Sequence, residues 1–200
     1  KLVQPDLAKS LSAISEKGPS AFYQGDIANL IVKSSKENGG ILAKADFEEY
    51  KVRELEPVKC SYRGYDIVSS PPPSSGGLII CEILNVLEGY PISYLGYGSA
   101  ETTRLMVEAM RHAYVDRNTA LGDPDFVDNP IEKLTSKAYA AEIRSRIDPY
   151  RAGVSEALKP AEFKESNETT HYSIVDKDGN AVAVTYTLNG SFGTAKVAEG

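Results

Sequence analysis

The amino-acid sequence predicts an α+β fold, and three observations carry that prediction. Apolar residues recur at helical spacing through much of residues 5–147, whereas residues 58–69 and 172–188 alternate in the manner of β-hairpins. Residues 148–168 show no period and contain Pro149, Gly153 and Pro160, which predicts an exposed loop or linker. Two hundred residues with 42% hydrophobic content are enough for one domain with a core.

Two helices are predicted before the first hairpin. Leu7, Leu11 and Ile14 share one face of a helix that Gly18-Pro19 is expected to end. A second helix starts near Asp26 and closes at residues 38–40, where the sequence is Asn-Gly-Gly. Residues 46–50 predict at most a short helical turn.

Three further helices are predicted after the first hairpin. Residues 78–87 are apolar on nearly every face, which predicts a buried helix. Ser99 is suited to cap a long helix that runs to about Thr119. The predicted inner face of that helix consists of Met106, Ala109, Met110 and Ala113. Residues 136–147 predict another amphipathic helix.

The two hairpins are marked by their turns. Arg63-Gly64 joins the alternating segments of the first hairpin, and residues 177–180, with the sequence Lys-Asp-Gly-Asn, join those of the second. Asp176 and Asp178 are interpreted as turn acids and not as metal ligands. Residues 71–77 interrupt regular structure, and Gly76-Gly77 is interpreted as permitting the bend, with an anion-binding turn as the alternative.

Charge and hydropathy exclude several classes of function. A net charge of −6 and a pI near 5.1 argue against nucleic acid, since nothing in the sequence would neutralise a run of phosphates. No apolar run approaches the roughly 20 residues that a transmembrane helix needs. No metal or organic cofactor is predicted.

The two cysteines, Cys60 and Cys81, lack metal-ligand spacing. Cys60 alternates with apolar residues and Cys81 lies in the apolar run 78–87. We therefore expect both to be free core thiols, with a disulfide between them as the alternative.

The catalytic chemistry is predicted at residues 168–173, with the sequence Glu-Thr-Thr-His-Tyr-Ser. A threonine hydroxyl is a poor nucleophile without an adjacent base. A threonine that becomes the first residue of a chain has its own α-amine as that base, with a pKa of about 7.7–8.0. Cleavage between Glu168 and Thr169, where an exposed linker meets a strand, would produce this arrangement. The ordinary reading of Thr-Thr at a strand start is β-propensity.

Several motifs favour the catalytic interpretation by resemblance. Residues 169–189, TTHYSIVDKDGNAVAVTYTLN, resemble the start of the small subunit of the γ-glutamyltranspeptidase family. Upstream, YRGY at 62–65, PPPSSGG at 71–77 and LGDPDF at 121–126 are similar to segments of that family's large subunit, in the same order and at about the same spacing. The resemblance covers essentially the whole chain.

The resemblance implies an N-terminal-nucleophile hydrolase with a four-layer αββα sandwich, incomplete in these 200 residues. It implies a precursor that cuts itself between Glu168 and Thr169 into a heterodimer. Residues 1–168 would be the C-terminal part of the large subunit and residues 169–200 the N-terminal part of the small subunit. Thr169 would then attack a γ-glutamyl donor such as glutathione, and water or an amino acid or dipeptide acceptor would resolve the ester.

Other roles carry over by position from the same family. Thr187 matches the threonine that hydrogen-bonds and orients the nucleophile, and Asn189 matches a residue that holds the donor's α-amino group. Thr187 could otherwise be an ordinary cross-strand threonine. His171 is assigned packing or hydrogen bonding, and His112 and Asp116 are interpreted as neighbours on a helix surface.

The resemblance also indicates what these residues lack. The family's carboxylate-binding arginine would precede Lys1, and its oxyanion hole and paired serines would follow Gly200. We therefore expect the 200 residues alone, as an internal fragment, to be inactive as a transferase. Alternatives are a related acylase, of the cephalosporin-acylase or poly-γ-glutamate-cleaving kind, and a non-catalytic scaffold. Family resemblance implies a periplasmic or extracellular location.

Overall fold

The computed structural model describes residues 3–158, 169–188, 190 and 193–198. The longer helices are α1 (Pro5–Lys17), α3 (Asp26–Glu37), α5 (Gly76–Glu88), α7 (Ala100–Ala120) and α9 (Lys137–Arg146). The short helices are α2 (Pro19–Tyr23), α4 (Lys44–Glu48), α6 (Ile92–Leu95) and α8 (Ile131–Leu134), and Ser155–Leu158 is a 3₁₀ turn. The strands are β1 (Val58–Tyr62), β2 (Tyr65–Ser69), β3 (Thr170–Val175) and β4 (Ala181–Tyr186).

The chain divides into two compact units. One unit comprises Lys1–Arg53 together with Glu165–Gly200, and the other comprises Glu54–Lys164. In the first unit, β3 and β4 form an antiparallel pair, and in the second unit β1 and β2 form another. Both hairpins lie where the alternating sequence predicts them.

The first unit contains α1 to α4 and the β3–β4 hairpin. Gly18 ends α1 with a positive φ of 67°, a conformation that glycine adopts without steric cost. Ala28 and Val32 are the buried residues of α3, at the helical spacing of four. Near α2 and α4, the rings of Tyr23 and Tyr50 stack with centroids 5.3 Å apart.

The sequence prediction misses α2. Gly18 ends α1 as expected, but Pro19 then starts a new helix instead of only stopping the previous one. Proline at the first helical position needs no N–H partner and has a suitable φ, so it favours helix initiation there.

The second unit is built around α5. Leu78, Cys81 and Val86 have no exposed surface, and full burial of an aliphatic side chain such as that of Leu78 or Val86 contributes about 1.5–3 kcal/mol. The largest cluster joins Val86 of α5 to Leu105 and Ala109 of α7 and to Ile143 of α9. The predicted buried helix at 78–87 is confirmed, with Ile80 as its half-exposed apolar residue.

Helix α7 begins and ends as predicted, but its inner face differs. Ser99 accepts a hydrogen bond from the backbone N–H of Thr102 at 3.1 Å, which confirms the predicted cap. Ala109 and Ala113 are fully buried, whereas Met106 is 45% exposed and Met110 is 41% exposed. The prediction for the two methionines is therefore wrong, because packing with α5 turns Leu105 inward instead.

The expectation of two free thiols is wrong as well. Cys60 of β1 and Cys81 of α5 form a disulfide, with Cα atoms 6.0 Å apart. Both residues do lie in the core, since Cys81 is fully buried with Val58 and Leu78 and Cys60 packs against that cluster. The pairing arises because α5 packs on β1, a contact between elements that the local pattern of neither segment encodes.

Gly77 has a steric role at the start of α5. A Cβ atom at this position would collide with the carbonyl oxygen of Ser70 and approach the Ser69 side chain. The second glycine of the 71–77 motif is thus required for the close return of the chain, which agrees with the interpretation that these glycines permit the bend.

Candidate active site

The turn of the second hairpin is fixed by one carboxylate. Asp176 Oδ1 accepts hydrogen bonds from the backbone N–H groups of Asp178 and Asn180, both at 2.9 Å, and its Oδ2 accepts one from Asn180 Nδ2 at 2.8 Å. These bonds, the side-chain amide first, lower the pKa of Asp176. Gly179 takes the positive φ of 84° that the turn requires. The prediction that Asp176 is a turn acid is confirmed.

This turn sets the register that positions the predicted nucleophile. Thr170 pairs with Tyr186 and His171 with Thr185. Continuing the same antiparallel register by one residue puts Thr169 opposite Thr187. The observed pairs end at Thr170 and Tyr186; since directly opposed residues share a face of the sheet, this continuation would place the two predicted catalytic threonines side by side. Both are exposed in this unit.

The face that carries Thr169 is polar over the part of the hairpin farthest from the turn, whereas Val175, Ala181 and Ala183 lie on it nearer the turn. His171 and Ser173 lie on it from β3, and Thr185 lies on it from β4. His171 Nδ1 and Thr185 Oγ1 are 2.6 Å apart, and Ser173 Oγ and His171 Nε2 are 3.4 Å apart. His171 therefore forms hydrogen bonds, as predicted, and its link to Thr185 is a contact that the sequence interpretation missed. Thr185 is two residues before Thr187 and so lies on the same face, and this spacing was the sequence signal that could have predicted the contact.

The opposite face of the hairpin is apolar. Tyr172 and Tyr186 contact each other edge to face, with ring centroids 6.4 Å apart, and are about half exposed. Ile174 and Val182 continue this face and are also more than half exposed. A strand pair with one polar and one exposed apolar face is typical of the inner layers of a larger sandwich.

Two predicted site residues cannot be located relative to this geometry. Glu168, on the predicted cleaved bond, and Asn189, the predicted donor-binding residue, lie outside the described residues. Their roles stay predictions, as do the catalytic roles of Thr169 and Thr187.

A second group of titratable side chains lies in the other unit and was not predicted. Tyr139 Oη donates a hydrogen bond of 2.7 Å to Asp116 Oδ2, and the buried Glu82 carboxyl faces Asp116 from α5. His112 and Asp116 are neighbours on α7, as interpreted, but the contacts of Asp116 with α5 and α9 were not predicted. Both residues are partly buried and line a cavity of about 410 Å³ with Tyr139 and Arg146. Burial is the main cause that lowers the pKa of His112, followed by the nearby charge of Arg111.

In residues 3–158, 169–188, 190 and 193–198, no three His, Cys, Asp or Glu side chains are grouped so as to hold a metal ion. Among the helices of those ranges, none combines the length and the apolar character needed to span a bilayer.

Comparison with known proteins identifies the family. The model of the γ-glutamyltranspeptidase family matches residues 1–200. The chain is 59% identical over 201 residues to the glutathione hydrolase proenzyme of Pseudomonas sp. (strain A14), covering all of this chain and 35% of that protein. It is 42% identical to the acylase ACY 1 proenzyme of Pseudomonas sp. (strain SE83), over 96% of this chain and 34% of that protein.

A solved structure gives the same result. The γ-glutamyltranspeptidase of Helicobacter pylori superimposes with a TM-score of 0.77 at 48% identity, covering 80% of this chain and 46% of that one. The chain thus belongs to the γ-glutamyltranspeptidase family, and the predicted α+β fold, as part of an αββα sandwich, is confirmed. It spans about a third of the length of the curated relatives that it matches.

Proposed function

We propose that this chain carries the nucleophile of a γ-glutamyl-transferring and glutathione-hydrolysing enzyme, and that Thr169 is that nucleophile. One observation supports this most directly. In a chain that matches the γ-glutamyltranspeptidase family along its whole length, Thr169 immediately precedes β3, and a continuation of the hairpin register by one residue would place it opposite Thr187.

The first step is self-cleavage. Thr169 Oγ attacks the carbonyl carbon of Glu168, and the C–N bond to Thr169 breaks as the acyl group moves to oxygen. The product is an ester on Thr169 and a free α-amine at the same residue. Water then hydrolyses the ester, which leaves a carboxylate on Glu168 and restores the Thr169 hydroxyl.

Transfer uses the same hydroxyl. The α-amine of Thr169 accepts the Oγ proton as Oγ attacks the γ-carbonyl carbon of the donor, because an amine with a pKa of about 7.7–8.0 is suited to this at neutral pH. The donor's amide C–N bond breaks, and the leaving amine takes the proton. Water or an acceptor amine then attacks the γ-glutamyl ester, releases the acyl product and returns the hydroxyl.

Neighbouring residues have supporting roles in this scheme. Thr187, opposite the nucleophile, donates or accepts a hydrogen bond that orients Thr169 Oγ, and Asn189 holds the α-amino group of the donor. The fixed Asp176 turn supports the proposal because it determines which residue of the return strand stands opposite Thr169.

The experiment compares three forms of the full-length protein in release of the chromophore from a γ-glutamyl anilide. Thr169→Ala is expected to lower turnover by at least about 10³-fold, since it removes the nucleophile. Thr170→Ala is the matched control, because this adjacent threonine lies on the opposite face and pairs with Tyr186. Equal turnover by wild type and Thr169→Ala would refute the proposal.

A related acylase activity is the second candidate. The 42% identity to an acylase proenzyme supports it, although the identity to a glutathione hydrolase proenzyme is higher. Parallel assays with the γ-glutamyl anilide and with a cephalosporin side-chain amide separate the two. Turnover of the second substrate only, lost in Thr169→Ala, would favour the acylase.

We further propose a periplasmic or extracellular location. The Cys60–Cys81 disulfide supports it, because such bonds persist in oxidising compartments and are rare in the cytosol.

A further inference from the structure

Glu82 is a buried acid whose charge has no partner. Its side chain lies on the inner face of α5 and is 1% exposed. Within the described part of the chain, no N–H or hydroxyl group donates a hydrogen bond to either carboxyl oxygen. A buried ionised carboxylate without hydrogen bonds costs several kcal/mol, so such a group takes up a proton instead.

The groups around Glu82 come from three helices. The Asp116 carboxylate of α7 and the Lys133 ammonium group of α8 both interact electrostatically with Glu82. The Tyr139 hydroxyl of α9 donates a hydrogen bond to the same Asp116 carboxylate. Lys133 Nζ lies over the Tyr139 ring, 4.5 Å from its centroid, so its charge is directed at the ring. The Tyr139 hydroxyl satisfies Asp116 Oδ2, which leaves the carboxyl group of Glu82 facing a second acid.

We propose that Glu82 keeps its proton at neutral pH and donates a hydrogen bond through it to the Asp116 carboxylate, so that Glu82, Asp116 and Tyr139 form a proton-dependent latch between α5, α7 and α9. The Glu82 O–H group holds Glu82 and Asp116 together, because two ionised carboxylates repel one another whereas an acid and a carboxylate share a hydrogen bond. Loss of the proton at alkaline pH puts a second negative charge into the core and opens the latch.

The electrostatic environment agrees with this geometry. Burial first, then the negative charge of Asp116 and a hydrogen bond with its side chain, raise the pKa of Glu82 from 4.5 to about 9, against the opposing effect of Lys133. Burial and the hydrogen bond to Asp116 raise the pKa of Tyr139, so its hydroxyl stays a donor throughout this range.

The direction in which stability changes with pH follows from the difference between the pKa of Glu82 in the folded and unfolded states. An acid whose pKa is higher in the folded state binds more protons when folded between the two pKa values. Stability from Glu82 is therefore fully present below about pH 4.5 and is lost progressively up to about pH 9, where Glu82 ionises in the folded state as well. Because opening of the latch releases one proton in this range, its equilibrium constant rises about tenfold for each pH unit.

The test is hydrogen exchange of the full-length protein at pH 6, 7 and 8, read by mass spectrometry on peptides from α5, α7 and α9. After correction for the intrinsic exchange rates, we expect wild-type protection factors to fall about tenfold per pH unit relative to Glu82→Gln. The amide variant is neutral at every pH and should remove this dependence.

A matched control is Glu108→Gln on α7. Glu108 is also buried, but its oxygens accept hydrogen bonds from Arg111 Nη1 and from the Gly153 N–H, both at 2.7 Å. This variant should lower protection at each pH and leave the pH dependence in place. Glu82→Met, an apolar residue of similar length, is the second variant if Glu82→Gln does not fold. A wild-type pH dependence that persists in the neutral Glu82 variant would overturn the proposal.

Discussion

At the scale of single residues, the candidate site consists of two threonines whose proximity depends on strand register. Thr169 and Thr187 are separated by 17 residues in sequence, yet the register set by the turn at residues 176–180 would bring them opposite each other when continued by one pair. The family provides the proposed division of roles between them, and register explains why these two threonines of the hairpin are suited to those roles. Thr170 is not suited to these roles because it lies on the opposite face of the hairpin. Thr185 is not suited either, because it pairs with His171 and not with Thr169.

A substitution at Thr187 tests the positioning role. Thr187→Val removes the hydroxyl and keeps the β-branched shape, so we expect kcat for the γ-glutamyl anilide to fall about tenfold with little change in KM. Steady-state kinetics of the full-length protein measure this. The hydroxyl acts on the nucleophile and not on the bound donor, which is why the effect belongs to kcat.

Thr185→Val is the control for that substitution. Thr185 lies two residues away on the same face, and its hydroxyl is engaged with His171. Its loss should change kcat by only about twofold. Similar reductions in both variants would mean that Thr187 has no special relation to Thr169.

At the scale of elements, the Cys60–Cys81 disulfide ties β1 to the central helix α5. The two residues are 21 apart in sequence, and closing a loop of this size stabilises the folded state by about 3 kcal/mol in the chain-entropy model. We expect reductant to lower the denaturant midpoint of the unit that comprises residues 54–164. Midpoints measured by denaturant unfolding with and without reductant give the comparison.

The matched control removes both sulfur atoms. The double variant Cys60→Ala/Cys81→Ala should be less stable than the oxidised protein and insensitive to reductant. A wild-type midpoint that does not change under conditions where thiol labelling shows full reduction would contradict a stabilising role for the bond.

The boundaries of the longer helices and of the two hairpins were largely predictable, whereas the short helices α2, α6 and α8 and the side-chain partners between elements were not. The Ser99 cap, the Gly18 stop and the Asp176 turn are local signals, since each involves residues within four positions of one another. The disulfide and the Glu82–Asp116–Tyr139 group depend on how α5 packs against β1, α7 and α9. Local periodicity contains no information on which buried face meets which.

The exposed methionines of α7 illustrate the same distinction. Met106 and Met110 fall on an apolar stripe that also includes Ala109 and Ala113, and helical spacing alone cannot decide where the buried sector is centred. Packing against α5 centres it on Leu105 and Ala109. The prediction for Thr169, by contrast, comes from the resemblance of a run of residues to the family and does not depend on packing.

At the scale of the whole molecule, the hairpin presents the predicted nucleophile on a polar face and exposes an apolar one. Both features fit a chain that spans about a third of its curated relatives and belongs to a sandwich fold. The proposed catalytic cycle depends on a single covalent event, which is breakage of the backbone immediately before Thr169. That event creates the α-amine on which both half-reactions depend.

Intact mass combined with N-terminal sequencing of the purified full-length protein measures that event directly. We predict two polypeptides, the smaller one beginning at Thr169, and a single uncleaved polypeptide in the Thr169→Ala variant. A wild-type protein that remains one unbroken polypeptide while it still turns over γ-glutamyl compounds would contradict the proposed mechanism.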